Sequence, residues 1–167
     1  MTVWTDERIP IWVPPVPREA LDSWLEAYAY RLRTVTVDFV AFLGLRGSSP
    51  QKMVRRLTDH ERDVLVRRTG LSAEKLTAIT LEPYNESILR IHPVSRRMLY
   101  PAAWRHYSTT SRYCPGCLAE NEGRWQLTWR LSWAFVCTRH KLLLLDRCPR
   151  CERHPPVARL GRYLVLP

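Results

Sequence analysis

Residues 113–154, YCPGCLAENEGRWQLTWRLSWAFVCTRHKLLLLDRCPRCERH, hold all five cysteines of the chain and two of its five histidines. They fall as three short knuckles, Cys114-x-x-Cys117, Cys137-x-x-His140 and Cys148-x-x-Cys151, with His154 three residues further on. Two ligands separated by two residues lie on one tight turn, which aims both side chains at one ion, and two such knuckles close a tetrahedral site. Cys114, Cys117, Cys137 and His140 are therefore expected to form a complete three-cysteine, one-histidine zinc site. Disulfides fit less well: the cysteine count is odd, and residues 1–15, MTVWTDERIPIWVPP, show no basic run followed by an apolar stretch. No βαβ pattern surrounds a CxxC pair as a redox site would want, and a histidine ligand argues against a four-thiolate iron centre. Four protein ligands leave no open position for water, so the expected role is structural.

The later knuckle is incomplete. Cys148 and Cys151 need two further ligands, and after them the sequence offers only His154. Three outcomes fit: a second zinc whose fourth ligand is water, a carboxylate or a partner residue; a degenerate site; or a truncated chain. An open position would permit Lewis-acid chemistry, but no base is placed beside it and no catalytic set is visible.

Before this stretch the pattern is helical. The chain has 167 residues, 46% of them hydrophobic, enough for a modest core in one or two small domains. No apolar run approaches bilayer length. Prolines 10, 14, 15 and 17 make residues 1–17 an extended arm, with Trp4, Ile9, Trp12 and Val13 available to pack on a neighbour. From Arg18 to Arg33 the residues Leu21, Trp24, Leu25, Tyr28 and Leu32 form one apolar stripe, with Glu19, Asp22 and Glu26 charging the opposite side. A second helix is expected over Val37–Leu45, followed by a break at Gly47-Ser48-Ser49-Pro50. Thr58-Asp59-His60-Glu61 is a capping box for a helix that Gly70 stops. Ser72 caps a further short helix, Ala73–Thr80. Helix, glycine turn, helix resembles a helix-turn-helix, although its second helix offers a groove only Glu74, Lys75 and Thr77. Packing or protein contact is the alternative use of this pair.

Charge divides the chain unevenly. Residues 1–83 carry 12 Lys+Arg against 11 Asp+Glu, a net +1; residues 84–167 carry 14 against 5, a net +9, which together give the formal +10. The excess on the cysteine-bearing half points to a polyanionic partner, most simply nucleic acid. Lys75, Arg90, Arg96, Arg97, Arg105 and Arg112 are the candidate contacts; the last five share residues 84–112 with His92, His106, Tyr100, Trp104 and Tyr107, an interleaving that can hold phosphate and stack on bases. The same residues can equally serve as a connector. Within 125–133, tryptophans 125, 129 and 133 and leucines 127 and 131 alternate with polar residues, as in a strand, although i, i+4, i+8 spacing also suits one helix face. A strand or hairpin is the preferred reading, with Leu142–Leu145 a second, buried strand.

The expected architecture is mainly α with small zinc-ribbon β elements: an arm (1–17), a helix-turn-helix-like bundle (18–83), a basic and aromatic connector (84–112) and a zinc module (113–167).

The strings YCPGCL, WRLSW and VCTRHKLLLLDRCPRC, together with PREALDSWLEAYAYRL near the start, resemble the TniQ family of transposon target-selection proteins. In that family a proline-rich arm leads into a Ser-Trp/Phe-Leu helix, and the prolines after Cys114 and Cys148 and the leucine run match its zinc signature. The resemblance implies that Cys114, Cys117, Cys137 and His140 hold the first zinc and that Cys148 and Cys151 begin a second. The family usually supplies two later cysteines that this chain lacks. It also implies a non-enzymatic adaptor of the small TniQ type, without a long DNA-reading extension. Such an adaptor connects target DNA, or an RNA-guided CRISPR effector with its guide RNA, to an AAA+ ATPase transposition regulator that recruits the transposase. It would work in the bacterial cytoplasm, at the nucleoid when DNA-bound. A stand-alone zinc-containing helix-turn-helix transcriptional regulator is the alternative.

Overall fold

The computed structural model describes residues 8–96, 98–99 and 111–154. Five helices come first: α1 (Leu21–Arg31), α2 (Thr36–Phe42), α3 (Pro50–Met53), α4 (Asp59–Thr69) and α5 (Ala73–Ala78). A two-stranded antiparallel pair follows, β1 (Arg90–Ile91) with β2 (Met98–Leu99). The last part contains α6 (Pro115–Glu120), a 3-10 turn (Leu127–Arg130) and a second antiparallel pair, β3 (Val136–Cys137) with β4 (Leu142–Leu143). The mainly helical reading with small β elements holds.

Helix α1 is the axis of the core. Leu21, Trp24, Leu25 and Tyr28, the residues of its apolar stripe, are fully buried. Tyr28 stacks on Phe39 of α2 with ring centroids 5.3 Å apart, while Trp24 meets Tyr28 edge-on. The chain leaves α1 through Arg33 in the left-handed region (φ 54), and the Thr34 N–H bonds back to the Ala29 carbonyl at 2.9 Å. The arm lies along this helix as expected. Ile9 and Val13 are buried; the Trp24 indole donates to the Val13 carbonyl at 2.8 Å and the Tyr28 hydroxyl to the Ile11 carbonyl at 3.1 Å. Trp12, by contrast, stands 48% exposed, with the Arg8 guanidinium over its ring. Trp4 lies outside the described residues.

Pro50 starts a helix rather than breaking the chain. It occupies the first turn of α3, where the missing N–H costs nothing and the fixed φ already suits the helix. The capping box at α4 is complete: the Glu61 N–H donates to Thr58 Oγ1, and the Thr58 N–H donates to the Glu61 carboxylate. Gly70 closes the helix at φ 73. Ser72 caps α5 by accepting from the Lys75 N–H, and α5 ends at Ala78, two residues before the expected Thr80.

Two readings of the later chain need correction. Residues 125–133 form neither a continuous strand nor a helix. They are extended up to Gln126, where they run beside residues 18–20: Ala20 N–H to Trp125 O (2.9 Å), Leu127 N–H to Arg18 O (2.8 Å) and a bridge between Glu19 and Gln126. The 3-10 turn then redirects the side chains. Leu127 and Leu131 enter the helical core, whereas Trp129 enters the cysteine cluster with Tyr113, Cys114, Cys117, Cys137 and Leu144. The alternating pattern thus serves two cores, and the tryptophans do not share one face. Second, β4 is not buried: Leu142 is 50% and Leu143 69% exposed. Beyond the strand, Leu144 is buried and Leu145 packs partly against the cysteine cluster.

Candidate metal centre

Three elements bring the first ligand set together. Cys114 is the N-cap of α6, so Pro115 begins the helix and Cys117 projects from its first turn. Cys137 ends β3, and the β3–β4 turn carries His140, with Lys141 in the left-handed region at φ 53. The His140 N–H donates to Cys137 Sγ at 3.4 Å, fixing the second knuckle.

His140 Nδ1 lies 3.4 Å from Cys114 Sγ, 3.4 Å from Cys117 Sγ and 3.5 Å from Cys137 Sγ, and the sulfurs of Cys117 and Cys137 are 3.6 Å apart. All four ligand atoms lie within 4.8 Å of one another. A tetrahedron built on zinc-type bond lengths has edges of about 3.8 Å between sulfurs and about 3.5 Å between sulfur and nitrogen. The spacing therefore fits one ion at the centre, and the donor set of three thiols and an imidazole can hold a metal. The three cysteines are buried and His140 is partly buried, so the site is closed from solvent.

The protons of the set are unevenly held. Burial, reinforced by the neighbouring cysteines, pushes the Cys117 thiol up to about 12. Burial also opposes ionisation of Cys137, but the His140 backbone N–H and the adjacent side chains overcome it and bring that thiol down to about 6. His140 is raised, first by its bond to Cys137 and then by Glu120.

Two residues that ligand spacing does not reveal shape this centre. Glu120, at the end of α6, places Oε1 3.1 Å from His140 Nε2 and Oε2 3.0 Å from Arg139. A carboxylate on the outer nitrogen fixes the ring so that Nδ1 faces the sulfurs. Gly116 lies against the same ring: a Cβ there would sit 2.7 Å from His140 Cδ2. The knuckle glycine is needed for close approach.

The other predicted ligands behave differently. Cys148 is half-buried and Cys151 exposed, on a turn closed by Glu152 N–H to Cys148 O (2.7 Å) and Cys148 N–H to Arg153 O (2.9 Å). The Cys148 thiol is held below its usual value, first by the Arg150 backbone N–H and then by that of Cys151. His154 is exposed, its Nδ1 2.9 Å from the Asp146 carbonyl. Among the described residues, only the first set gathers three or more ligand atoms.

The candidate phosphate contacts separate too. Arg96 is not a free cation: it pairs with the buried Glu61 carboxylate and donates to the Arg56 carbonyl at 3.3 Å. Arg112 donates to the carbonyls of Ser132 (2.9 Å) and Ala134 (3.0 Å), bracing the approach to β3. Lys75 and Arg90 are exposed. Arg97 and Arg105, like His106, Tyr100, Trp104 and Tyr107, lie outside the described residues. Glu19 and Asp22, read from helical periodicity as solvent-facing, are buried. Arg124 donates to both Glu19 oxygens at 2.7 and 2.9 Å, and Arg130 pairs with Asp22. Part of the positive excess of the later half is thus spent inside the molecule.

The TniQ family model matches residues 10–144. The chain belongs to the TniQ family. The match runs from the arm through α1 and ends just after β4, covering all four clustered ligands. Membership associates the chain with transposition. A search of curated proteins returns no match. No helix among the described residues is long and apolar enough to cross a membrane.

Proposed function

We propose that this TniQ-family chain is a non-enzymatic adaptor in DNA transposition. It links recognition of a target, either DNA itself or an RNA-guided CRISPR effector on DNA, to an AAA+ ATPase regulator that recruits the transposase. The observation that carries this reading is the family match across residues 10–144 together with a closed centre of four protein ligands. A buried ion with a full protein shell has no place for substrate, so it acts on the fold. We take that ion to be zinc, which suits three thiolates and an imidazole in a tetrahedral array. Cys148, Cys151 and His154 would begin a second, separately filled site.

DNA contact on this reading falls to Lys75, Arg90, Arg97 and Arg105, and the site of action is the bacterial cytoplasm at the nucleoid. The decisive experiment purifies the zinc-loaded protein with an AAA+ ATPase regulator and a transposase from the same genome. Binding to the ATPase on DNA and a change in where insertions land are expected. Absence of both would overturn the reading. One observation favours a second reading, a stand-alone regulator: α4 and α5 are well capped and joined by Gly70, Leu71 and Ser72. A short operator duplex bound specifically without any ATPase would select it. The exposed part of α5, with Lys75 beside Glu74, offers little cationic surface for that task.

A further inference from the structure

The β3–β4 hairpin carries Cys137 and His140 to the metal centre and leaves large apolar side chains in water on both of its faces. Phe135 is 61%, Val136 43%, Leu142 50% and Leu143 69% exposed. Val136 and Leu143 are direct cross-strand partners, so their side chains share the face turned away from Cys137, while Leu142, paired with Cys137, and Phe135 flank the metal-side face. These are four of the ten exposed large apolar residues among the described residues, gathered within positions 135–143. Scattered exposed apolar residues need no explanation, but a cluster on one small element marks a contact surface.

The hairpin is also held in place before any partner arrives. Leu144 N–H donates to the Phe135 carbonyl at 2.8 Å, Tyr113 and Leu145 exchange both backbone bonds at 2.8 Å, and Cys137 and His140 belong to the metal set. Docking on such a surface orders little new chain. Its surroundings are cationic. Lys141 stands exposed in the hairpin turn beside Arg139, which pairs with Glu120, and Arg147, Arg150 and Arg153 follow, against Asp146 and Glu152. Four bulky apolar groups regain their burial only against other apolar groups, which a phosphate backbone does not provide.

We propose that the exposed β3–β4 hairpin, centred on the Val136–Leu143 pair with Phe135 and Leu142 at its flanks, docks a partner-protein segment that presents apolar side chains flanked by carboxylates. The metal centre then acts as the rigid backing of a protein-binding surface. The choice of probe rests on the adaptor reading: the partner tested is an AAA+ ATPase regulator from the same genome.

The test uses the full zinc-loaded protein and the purified ATPase, with affinity measured by biolayer interferometry at low and high salt. Leu143→Asp is expected to weaken binding at least tenfold, because it places a carboxylate in the centre of the apolar face. Leu143→Lys should weaken it less, since a cation there faces the partner's carboxylates. Lys141→Glu should cost a few-fold at low salt and almost nothing at high salt. Metal content and melting temperature should stay at wild-type values in all three, which separates a lost surface from a lost fold. Wild-type ATPase affinity in Leu143→Asp overturns the inference and leaves the adaptor reading standing. Loss of duplex DNA binding with ATPase binding intact overturns it in favour of a nucleic-acid face. Loss of self-association alone, seen in sedimentation, overturns it in favour of contact between copies. If the unaltered protein does not bind the ATPase at all, the adaptor reading fails and this inference falls with it.

Discussion

The helical half and the metal-bearing half of this chain reach the same end by different physics. Around α1, Trp24, Tyr28, Phe39, Leu21, Leu25 and Met53 lose essentially all contact with water, and burial of that apolar area is what holds the element pairs together. The cluster around the metal set has six buried members, of which three are the cysteine ligands themselves. Without an ion between those ligands, little apolar area remains to hold β3, β4 and α6 in place. The first region can fold on its side chains; the second needs its ligands satisfied. On the zinc reading the exposed hairpin leucines follow: a region stapled by coordination need not turn its leucines inward.

The two halves are not independent. Leu127 and Leu131 belong to the helical core, and the Glu19–Arg124 and Asp22–Arg130 pairs join the start of α1 to the segment leading toward the metal. Ser23 ties the same joint, donating to Glu19 at 2.8 Å and accepting from the Trp125 N–H at 2.8 Å. Burial raises Glu19 in spite of Arg124. The pair therefore fixes registry more than it adds stability, and losing one member leaves a charge in a dry site.

The sharpest way to break the comparison is Cys137→Ser. Structural zinc contributes roughly 10–16 kcal/mol in small zinc modules, more than such a module's own stability. The variant should lose its bound metal and the protection of residues 111–145, measured by metal analysis and hydrogen exchange. Retention of both would show that the ligands are wrongly assigned. Next in size is Arg124→Met, which strands Glu19 and should cost about 3–5 kcal/mol in a denaturant titration. The double variant Glu19→Gln, Arg124→Met should cost less than Arg124→Met alone, whereas additive losses would mean that the two residues act separately.

Smaller effects sharpen the contrast. Glu120→Gln keeps a hydrogen bond to His140 but not the charge, so metal affinity in a chelator competition should fall about tenfold, with the α1 core unchanged. An unaltered affinity would make Glu120 a bystander. In the helical half, burial first and then Asp22 push Glu26 up to about 7, with Arg130 opposing. Its folded value lies above its unfolded value of 4.5, so the folded state binds more protons between these values and stability falls as pH rises through that window. Glu26→Gln should therefore raise stability at pH 8 by on the order of 1–2 kcal/mol and leave it unchanged below pH 4. An equal gain at both pH values would point to packing rather than titration.

Local signals in the sequence survived wherever one residue's chemistry decides the outcome. Spacing placed Cys114, Cys117, Cys137 and His140 in one set, the Thr58–Glu61 capping box formed in full, Gly70 stopped α4, and the stripe on α1 faced inward. What failed depended on partners distant in sequence. Periodicity put Glu19 and Asp22 on the outside of α1, because nothing local announces that Arg124 and Arg130, more than a hundred residues later, come to neutralise them. Arg96 and Arg112 read as phosphate contacts for the same reason: their partners, Glu61 and the Ser132 and Ala134 carbonyls, lie far away in sequence. The run Leu142–Leu145 reads as one buried strand by composition, yet only Leu144 and, in part, Leu145 enter the cysteine cluster, because pairing of β4 with β3 leaves Leu142 and Leu143 at the surface.

The most direct test of the account removes the metal from the intact protein with a chelator and follows hydrogen exchange segment by segment. Residues 111–145 should lose protection first and regain it on zinc addition, while α1, α2 and α4 stay protected, with weakening confined to the start of α1 where Glu19 and Asp22 meet Arg124 and Arg130. Unchanged protection of residues 111–145 after complete metal removal would contradict it.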